Sequence, residues 1–182
     1  MRIIAGKYRG RRLKVPSTKF TRPTTDKVRE ALFNILTNRI NFDGIAVLDI
    51  YAGSGSLGLE ALSRGAASID FVEKNIQIYK ILQQNIISLG TVLNCKIFKM
   101  EAISFSRMAD HKKYDLIFAD PPFFKDDIHY VVENLLAGDF LTEEALIIIE
   151  RSIQTKEKDI EKFGIEPFKR IGDTLLYEFE KK

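Results

Sequence analysis

Val47-Leu48-Asp49-Ile50-Tyr51-Ala52-Gly53-Ser54-Gly55-Ser56-Leu57-Gly58 reads as a strand passing through a glycine turn into a helix. Gly53, Gly55 and Gly58 match G-x-G-x-x-G, a spacing in which missing side chains let the backbone approach a ligand at a helix N-terminus. Alone, the pattern also fits a tight turn that needs glycine and nothing more. Its flanks separate three candidate ligands. Gly53 and Gly58 have P-loop spacing, but Leu59-Glu60 follows instead of Lys-Ser/Thr, so no lysine is placed to meet phosphates. A dinucleotide would set its pyrophosphate at this terminus, where the Asp49 carboxylate is repulsive. S-adenosylmethionine has no phosphate, and its ammonium and sulfonium groups are cationic, so the same Asp49 becomes favourable.

Outward from this loop, short apolar runs alternate with helical stretches. The pattern predicts strands at 45–50, 68–73, 96–99, 115–119 and 145–150, and helices at 57–63, 75–89, 102–108 and 127–136. Upstream, Val28, Ala31, Leu32, Ile35 and Leu36 form one face of an amphipathic helix, with N-cap side chains available in Thr24-Thr25-Asp26. Such alternation implies right-handed crossovers and a mostly parallel sheet with helices on both faces, an α/β fold. Two last strand-like runs, 166–171 and 174–180, flank Gly172-Asp173, which suits a type II′ turn; the last strand is then antiparallel and the sheet seven-stranded.

Glu73, at the end of the second strand, can accept two hydrogen bonds from ribose hydroxyls, a role that serves NAD and S-adenosylmethionine alike. Glu101, after the third strand, could accept from an adenine amino group, with the backbone of Ala102 nearby. Asp120-Pro121-Pro122-Phe123 stands at the carboxyl end of the fourth strand, where open α/β sheets bind ligands. Two prolines stiffen the segment and remove two donors, leaving it rich in acceptors. The Asp120 carboxylate and the Pro121 carbonyl can take both protons of an amino group while Phe123 stacks on the ring that bears it. Acceptors out of the ring plane favour a pyramidal nitrogen whose lone pair points at a methyl donor, so positioning and preorganised charge would supply the catalysis.

The chain has 182 residues, 45% of them apolar, with one cysteine and no tryptophan. At this length folding buries roughly 70% of the unfolded surface, so one domain needs no staple. Cys95 alone cannot form an internal disulfide, no zinc motif is present, and no metal site is expected. Cys95 is expected to be a buried small residue at a strand start, and His111 and His129 to be surface residues. No apolar run approaches the ~18 residues of a membrane span and no signal-peptide core is visible, so a cytoplasmic location is expected.

Net charge is +3, but it is segregated. Residues 1–29 hold ten basic residues and one acid, whereas the rest holds 18 basic and 24 acidic residues. A basic arm on an acidic body is the asymmetry of a nucleic-acid binder. Residues 2–5 and 11–15 could pair as a small β-hairpin, with Pro16 and Pro23 in the connector that follows. Lys7, Tyr8, Arg9, Arg11, Arg12, Lys14 and Arg22 are the expected nucleic-acid contacts; an amine inside a duplex could not reach the 120–123 segment, so its base would have to stand in a loop or be flipped out.

Taken together, Met1-Arg-Ile-Ile-Ala-Gly-Lys-Tyr-Arg-Gly-Arg-Arg-Leu, Arg22-Pro-Thr-Thr-Asp-Lys-Val-Arg-Glu, the 49–58 loop, Asp120-Pro-Pro-Phe and Gly172-Asp173-Thr174 resemble the RsmD-type family. These are class I S-adenosylmethionine-dependent methyltransferases acting on guanine N2 of small-subunit ribosomal RNA. The resemblance spans essentially the whole chain. It implies a Rossmann-like domain over 1–182, with a basic arm at 1–22 and a catalytic core at 23–182. It also implies 16S rRNA as partner, in a ribosomal assembly context, and a monomeric enzyme. Carried over, Asp49, Tyr51, Ala52, Gly53, Ser54, Gly55, Glu73, Lys74, Glu101 and Ala102 become cofactor residues, and Asp120, Pro121, Pro122 and Phe123 the catalytic loop. Glu101 departs from the aspartate or asparagine more usual at its position. The residues alone leave open adenine N6 or a glutamine amide as acceptor, a non-catalytic RNA-binding assembly factor, and an NAD-dependent oxidoreductase.

Overall fold

The computed structural model describes residues 1–16, 26–122 and 126–181. After α1 (Asp26–Thr37), the chain alternates β1 (Ala46–Asp49), α2 (Ser56–Ser63), β2 (Ser68–Val72), α3 (Ile76–Leu89), β3 (Cys95–Phe98), α4 (Ala102–Phe105), β4 (Tyr114–Ala119), α5 (Asp127–Ala137) and β5 (Leu141–Ser152). It closes with α6 (Lys156–Phe163), β6 (Lys169–Ile171) and β7 (Thr174–Glu180). The sheet has the order β3-β2-β1-β4-β5-β7-β6, parallel from β3 to β5, with β7 antiparallel to both its neighbours.

Local chemistry explains most of these boundaries. The Asn75 side chain accepts from the Gln77 and Ile78 N–H groups to open α3, and Gly90 closes it in the left-handed conformation. Strands β1 and β4 are apolar on both faces because both faces are covered. One core layer joins Leu32, Phe33, Leu59 and Phe71, and the other joins Ile117, Ile128, Leu135 and Ile147 across the sheet. Ile171 pairs with Thr174, and of the two residues between them only Gly172 has positive φ, as a type II′ turn requires.

Helix α6 and the early part of β5 were not expected from the sequence. In α6 only Asp159 is buried, so apolar periodicity is missing, while Glu143 and Glu144 interrupt the apolar pattern of β5. The N-terminal segment pairs with itself only briefly. Arg2 and Arg12 form an isolated antiparallel bridge, flanked by hydrogen bonds from Ile3 N–H to the Arg11 carbonyl at 2.9 Å and from Leu13 N–H to the Met1 carbonyl at 3.1 Å. The segment lies along the body: Ile3 and Leu13 are buried in the core, and the buried Glu60 carboxylate of α2 accepts the N–H groups of Ile4 and Ala5 at 2.7 and 3.0 Å. Lys7 N–H donates to the Ser63 carbonyl, and a Cβ added at Gly6, where φ is +79°, would stand 1.8 Å from that oxygen. Expectations for Arg22, Pro23, Thr24 and Thr25 fall outside the described residues. Among the described residues no helix is long and apolar enough to cross a membrane.

The strand order reverses between β1 and β4. Their carboxyl ends therefore border a crevice, the usual ligand position in sheets of this kind.

Candidate active site

The glycine loop leaves the end of β1 in the middle of the sheet. Ile50 N–H bonds to the Phe118 carbonyl and Ala52 N–H to the Val72 carbonyl, so the chain stays pinned on both sides until it turns. Gly53 and Gly55 then adopt φ of +53° and +83°, and Gly55 N–H closes the turn onto the Ala52 carbonyl at 2.7 Å. The three glycines have different reasons. A Cβ at Gly58 would come within 2.4 Å of the Phe71 ring and one at Gly55 within 2.4 Å of Leu82, whereas at Gly53 it would meet nothing. Gly58 and Gly55 admit close packing; Gly53 keeps a space open.

Gly55 precedes α2 and has no side chain with which to cap it. Asp49 does so from the strand, its Oδ2 accepting the Gly58 N–H at 3.1 Å. Asp49 is 1% exposed, and its Oδ1 has no hydrogen-bond partner among the described residues. Burial pushes its pKa up to about 7, against the pull of the Gly58 N–H and with the help of the nearby Asp120 and Glu73 charges. A buried acceptor lacking a partner, close to the open space at Gly53, fits a ligand that brings an ammonium group.

Glu73 follows β2 and braces the same loop, its Oε2 accepting from Gly53 N–H at 3.1 Å and its Oε1 from Asn75 N–H at 2.7 Å. Burial raises its pKa. Each oxygen keeps lone-pair capacity for a diol. Lys74 and Glu101 pair with each other at 3.2 Å, both about half exposed, so the Glu101 carboxylate is engaged at the rim while Ala102 is buried at the start of α4. The Tyr51 hydroxyl donates to Asp127 Oδ1 at 3.1 Å, which ties the glycine loop to the start of α5, and burial drives the phenol pKa upward. Ser54 is half-buried, and Asn85 of α3 donates to its carbonyl at 2.9 Å.

Asp120, half-buried, comes directly after β4, which pairs with β1 in the register Asp49 to Phe118; Pro121 is buried and Pro122 exposed. Phe123 lies outside the described residues. Asp49, Gly53, Gly55, Glu73 and Asp120 thus gather at one end of the sheet, as the sequence predicts.

Lys7, Arg9, Arg11, Arg12 and Lys14 are exposed, and half-buried Tyr8 packs on the core with the Lys7 ammonium 5.5 Å from its ring centre. The Arg11 guanidinium donates to the Ser88 carbonyl, and Lys14 Nζ to Gln84 Oε1 at 3.1 Å. Arg22 lies outside the described residues. Cys95 begins β3 and is partly buried. His129, expected at the surface, is buried instead, 2.9 Å from Asp159, which also accepts from Arg151 at 2.8 Å and Thr155 at 2.6 Å. His111 is half-buried and stacks on Phe140 at 3.5 Å.

Ribosomal RNA small subunit methyltransferase D of Escherichia coli K12 is 38% identical over 154 residues, covering 85% of this chain and 76% of that protein. The protein of the same name from Haemophilus influenzae is 36% identical over 152 residues, covering 82% and 78%. The solved structure of yhhF from Escherichia coli superposes with a TM-score of 0.83 at 31% identity, covering all of this chain and 98% of that one. The family described as Conserved hypothetical protein 95 matches residues 1–180. On this agreement over nearly its full length, the chain belongs to the conserved hypothetical protein 95 family, that of ribosomal RNA small subunit methyltransferase D.

Proposed function

We propose that the chain is an S-adenosylmethionine-dependent methyltransferase acting on the exocyclic N2 amine of a guanosine in small-subunit (16S) ribosomal RNA. The observation that carries this reading is Asp49, a buried carboxylate with one oxygen lacking a hydrogen-bond partner among the described residues, at the same end of the sheet as the Gly53 loop and the Asp120-Pro121-Pro122 strand exit. Membership of the methyltransferase D family and the names of the relatives support the ribosomal RNA substrate.

In this reading Asp49 Oδ1 holds the cofactor ammonium, the Tyr51-to-Gly55 backbone cradles its amino-acid end, and Glu73 accepts from the ribose. The bound cofactor supplies an electrophilic methyl group on a sulfonium. Asp120 and the Pro121 carbonyl would accept hydrogen bonds from the two amine hydrogens, hold the nitrogen for in-line attack, and stabilise the positive charge that develops on it as the N–CH3 bond forms and the S–CH3 bond breaks; the thioether leaves and the nitrogen then releases one proton. Asp120 must be ionised for this. The exposed basic side chains of the first 16 residues hold the RNA phosphates.

The test is mass spectrometry of nucleosides from small-subunit rRNA after incubation with the chain and S-adenosylmethionine. N2-methylguanosine is the expected product. N6-methyladenosine in its place would overturn the choice of base, and no methylated nucleoside at all would overturn the enzyme reading.

A further inference from the structure

A single buried side chain touches both surfaces that the proposed function requires. Asn85 lies on the inner face of α3 among Leu82, Ile86 and Leu89, and is 1% exposed. Its Oδ1 accepts the Lys14 N–H at 2.8 Å, while its Nδ2 donates to the Lys14 carbonyl and to the Ser54 carbonyl, each at 2.9 Å. Two carbonyls facing the same end of the amide fix which end carries nitrogen, and three of the four hydrogen-bond positions are used. Asn85 thus grips Lys14 in both directions and holds the glycine loop with its remaining N–H.

Both grips fall on irregular backbone, outside any helix or strand. Ser54 lies between Gly53 and Gly55, the two positive-φ residues of the loop, where the backbone has the widest conformational choice. Lys14 lies beyond the single bridge that closes the basic segment, next to the exposed Arg11 and Arg12. A ligand that fixes the position of either backbone therefore favours the matching position of the other, and the link is three hydrogen bonds on one amide rather than a long relay.

We infer that Asn85 is a positioning residue that makes cofactor binding in the glycine loop and RNA binding on the basic segment cooperative. The inference rests on the proposed reading of both surfaces. Contacts between phosphates and the Arg11 or Lys14 side chains would replace their exposed hydrogen bonds to Ser88 and Gln84 and leave the buried Asn85 link in place. Coupling of this kind is reciprocal: each ligand must tighten the other by the same factor.

The experiment is a thermodynamic cycle by calorimetry on the full chain, with S-adenosylhomocysteine as a non-reacting cofactor probe and in vitro transcribed small-subunit rRNA. In the wild type, saturating RNA should tighten S-adenosylhomocysteine about fivefold or more, with the same factor in the reverse direction. In Asn85→Leu, which keeps the branched outline and removes the hydrogen bonds, the factor should fall to about one. A purely structural role would lower the active fraction in every arm alike and cancel from this ratio. Independent binding in the wild type, or an unchanged factor in Asn85→Leu, would overturn the inference. Should that variant not fold, hydrogen exchange on the wild type decides: S-adenosylhomocysteine alone should slow exchange of the Lys14 amide, and an unaffected amide refutes the coupling. A wild-type chain that binds only one of the two ligands, or neither, would instead overturn the underlying functional reading.

Discussion

Asp49 on β1 and Gly58 on α2 are joined by a 3.1 Å hydrogen bond from the Gly58 N–H to Asp49 Oδ2, which leaves Oδ1 of the same buried carboxylate without a partner among the described residues. One buried group therefore caps a helix with one oxygen and keeps the acceptor capacity of the other.

The first prediction concerns pH. In the cofactor-free fold the Asp49 pKa rises from its ordinary 3.8 to about 7. Between these values the native state holds a proton that the unfolded chain has released, so the stability from this group is full below the lower value and is lost as pH rises through about 7. The urea midpoint of the wild type should fall over that window relative to Asp49→Asn, in which the group no longer titrates. A cationic cofactor requires the ionised form, so affinity for S-adenosylmethionine should climb up to about pH 7 and then level off, and Asp49→Asn should abolish that dependence. Parallel stability curves for the two proteins would contradict the assignment.

The loop glycines should separate stability from binding. Gly58→Ala drives a methyl group into Phe71 and Ile69 and should cost about 1–3 kcal/mol of stability, while the folded fraction still binds cofactor. Gly53→Ala meets no atom and pays only about 1–2 kcal/mol for its left-handed backbone, yet places a methyl group in the open space that the proposed function assigns to the cofactor and should lose most binding. Thermal melts with and without S-adenosylhomocysteine distinguish the two.

Asp120→Ala should reduce kcat by about 100-fold or more. Removing this carboxylate also removes a charge that raises the Asp49 pKa, so cofactor affinity below pH 7 should hold or improve. A large loss of cofactor binding would show that Asp120 serves the wrong ligand.

Replacing Lys7, Arg9 and Arg12 by alanine should flatten the dependence of log K for RNA on log salt by about 2, with the melting temperature unchanged. Ile3→Ala, on the same segment, should cost about 2–5 kcal/mol because that side chain belongs to the core. An equal salt slope in the triple variant would remove the segment from the RNA interface.

The legible features were those written locally. The glycine loop, the strand exit at Asp120 and the Gly172-Asp173 turn each announce themselves by glycine or proline at fixed offsets, and the alternation of apolar runs carries the sheet. What escaped depends on partners far along the chain. Asn85 shows only as a polar residue on an apolar stripe, His129 is buried because Asp159 is there to pair with it, and Tyr51 reaches Asp127 across 76 residues. The basic segment reads as an arm because its charges dominate its composition. Its two core residues, Ile3 and Leu13, are too few to signal docking without the Glu60 acceptor that receives its backbone.

Helix α2 is buried at every position from Leu57 to Ser63, with the sheet beneath it and the main chain of Ile4, Ala5, Lys7 and Tyr8 bonded to Glu60 and Ser63 above. The segment that carries the charge is thus also the roof of the helix that the glycine loop opens. In evolutionary terms the two are not interchangeable modules. A descendant that shed the first sixteen residues would leave Glu60 and Ser63 without their backbone partners and strip Ile3 and Leu13 from the core, and a lineage could change the charge of this segment only through the outward side chains, with the backbone beneath them held constant.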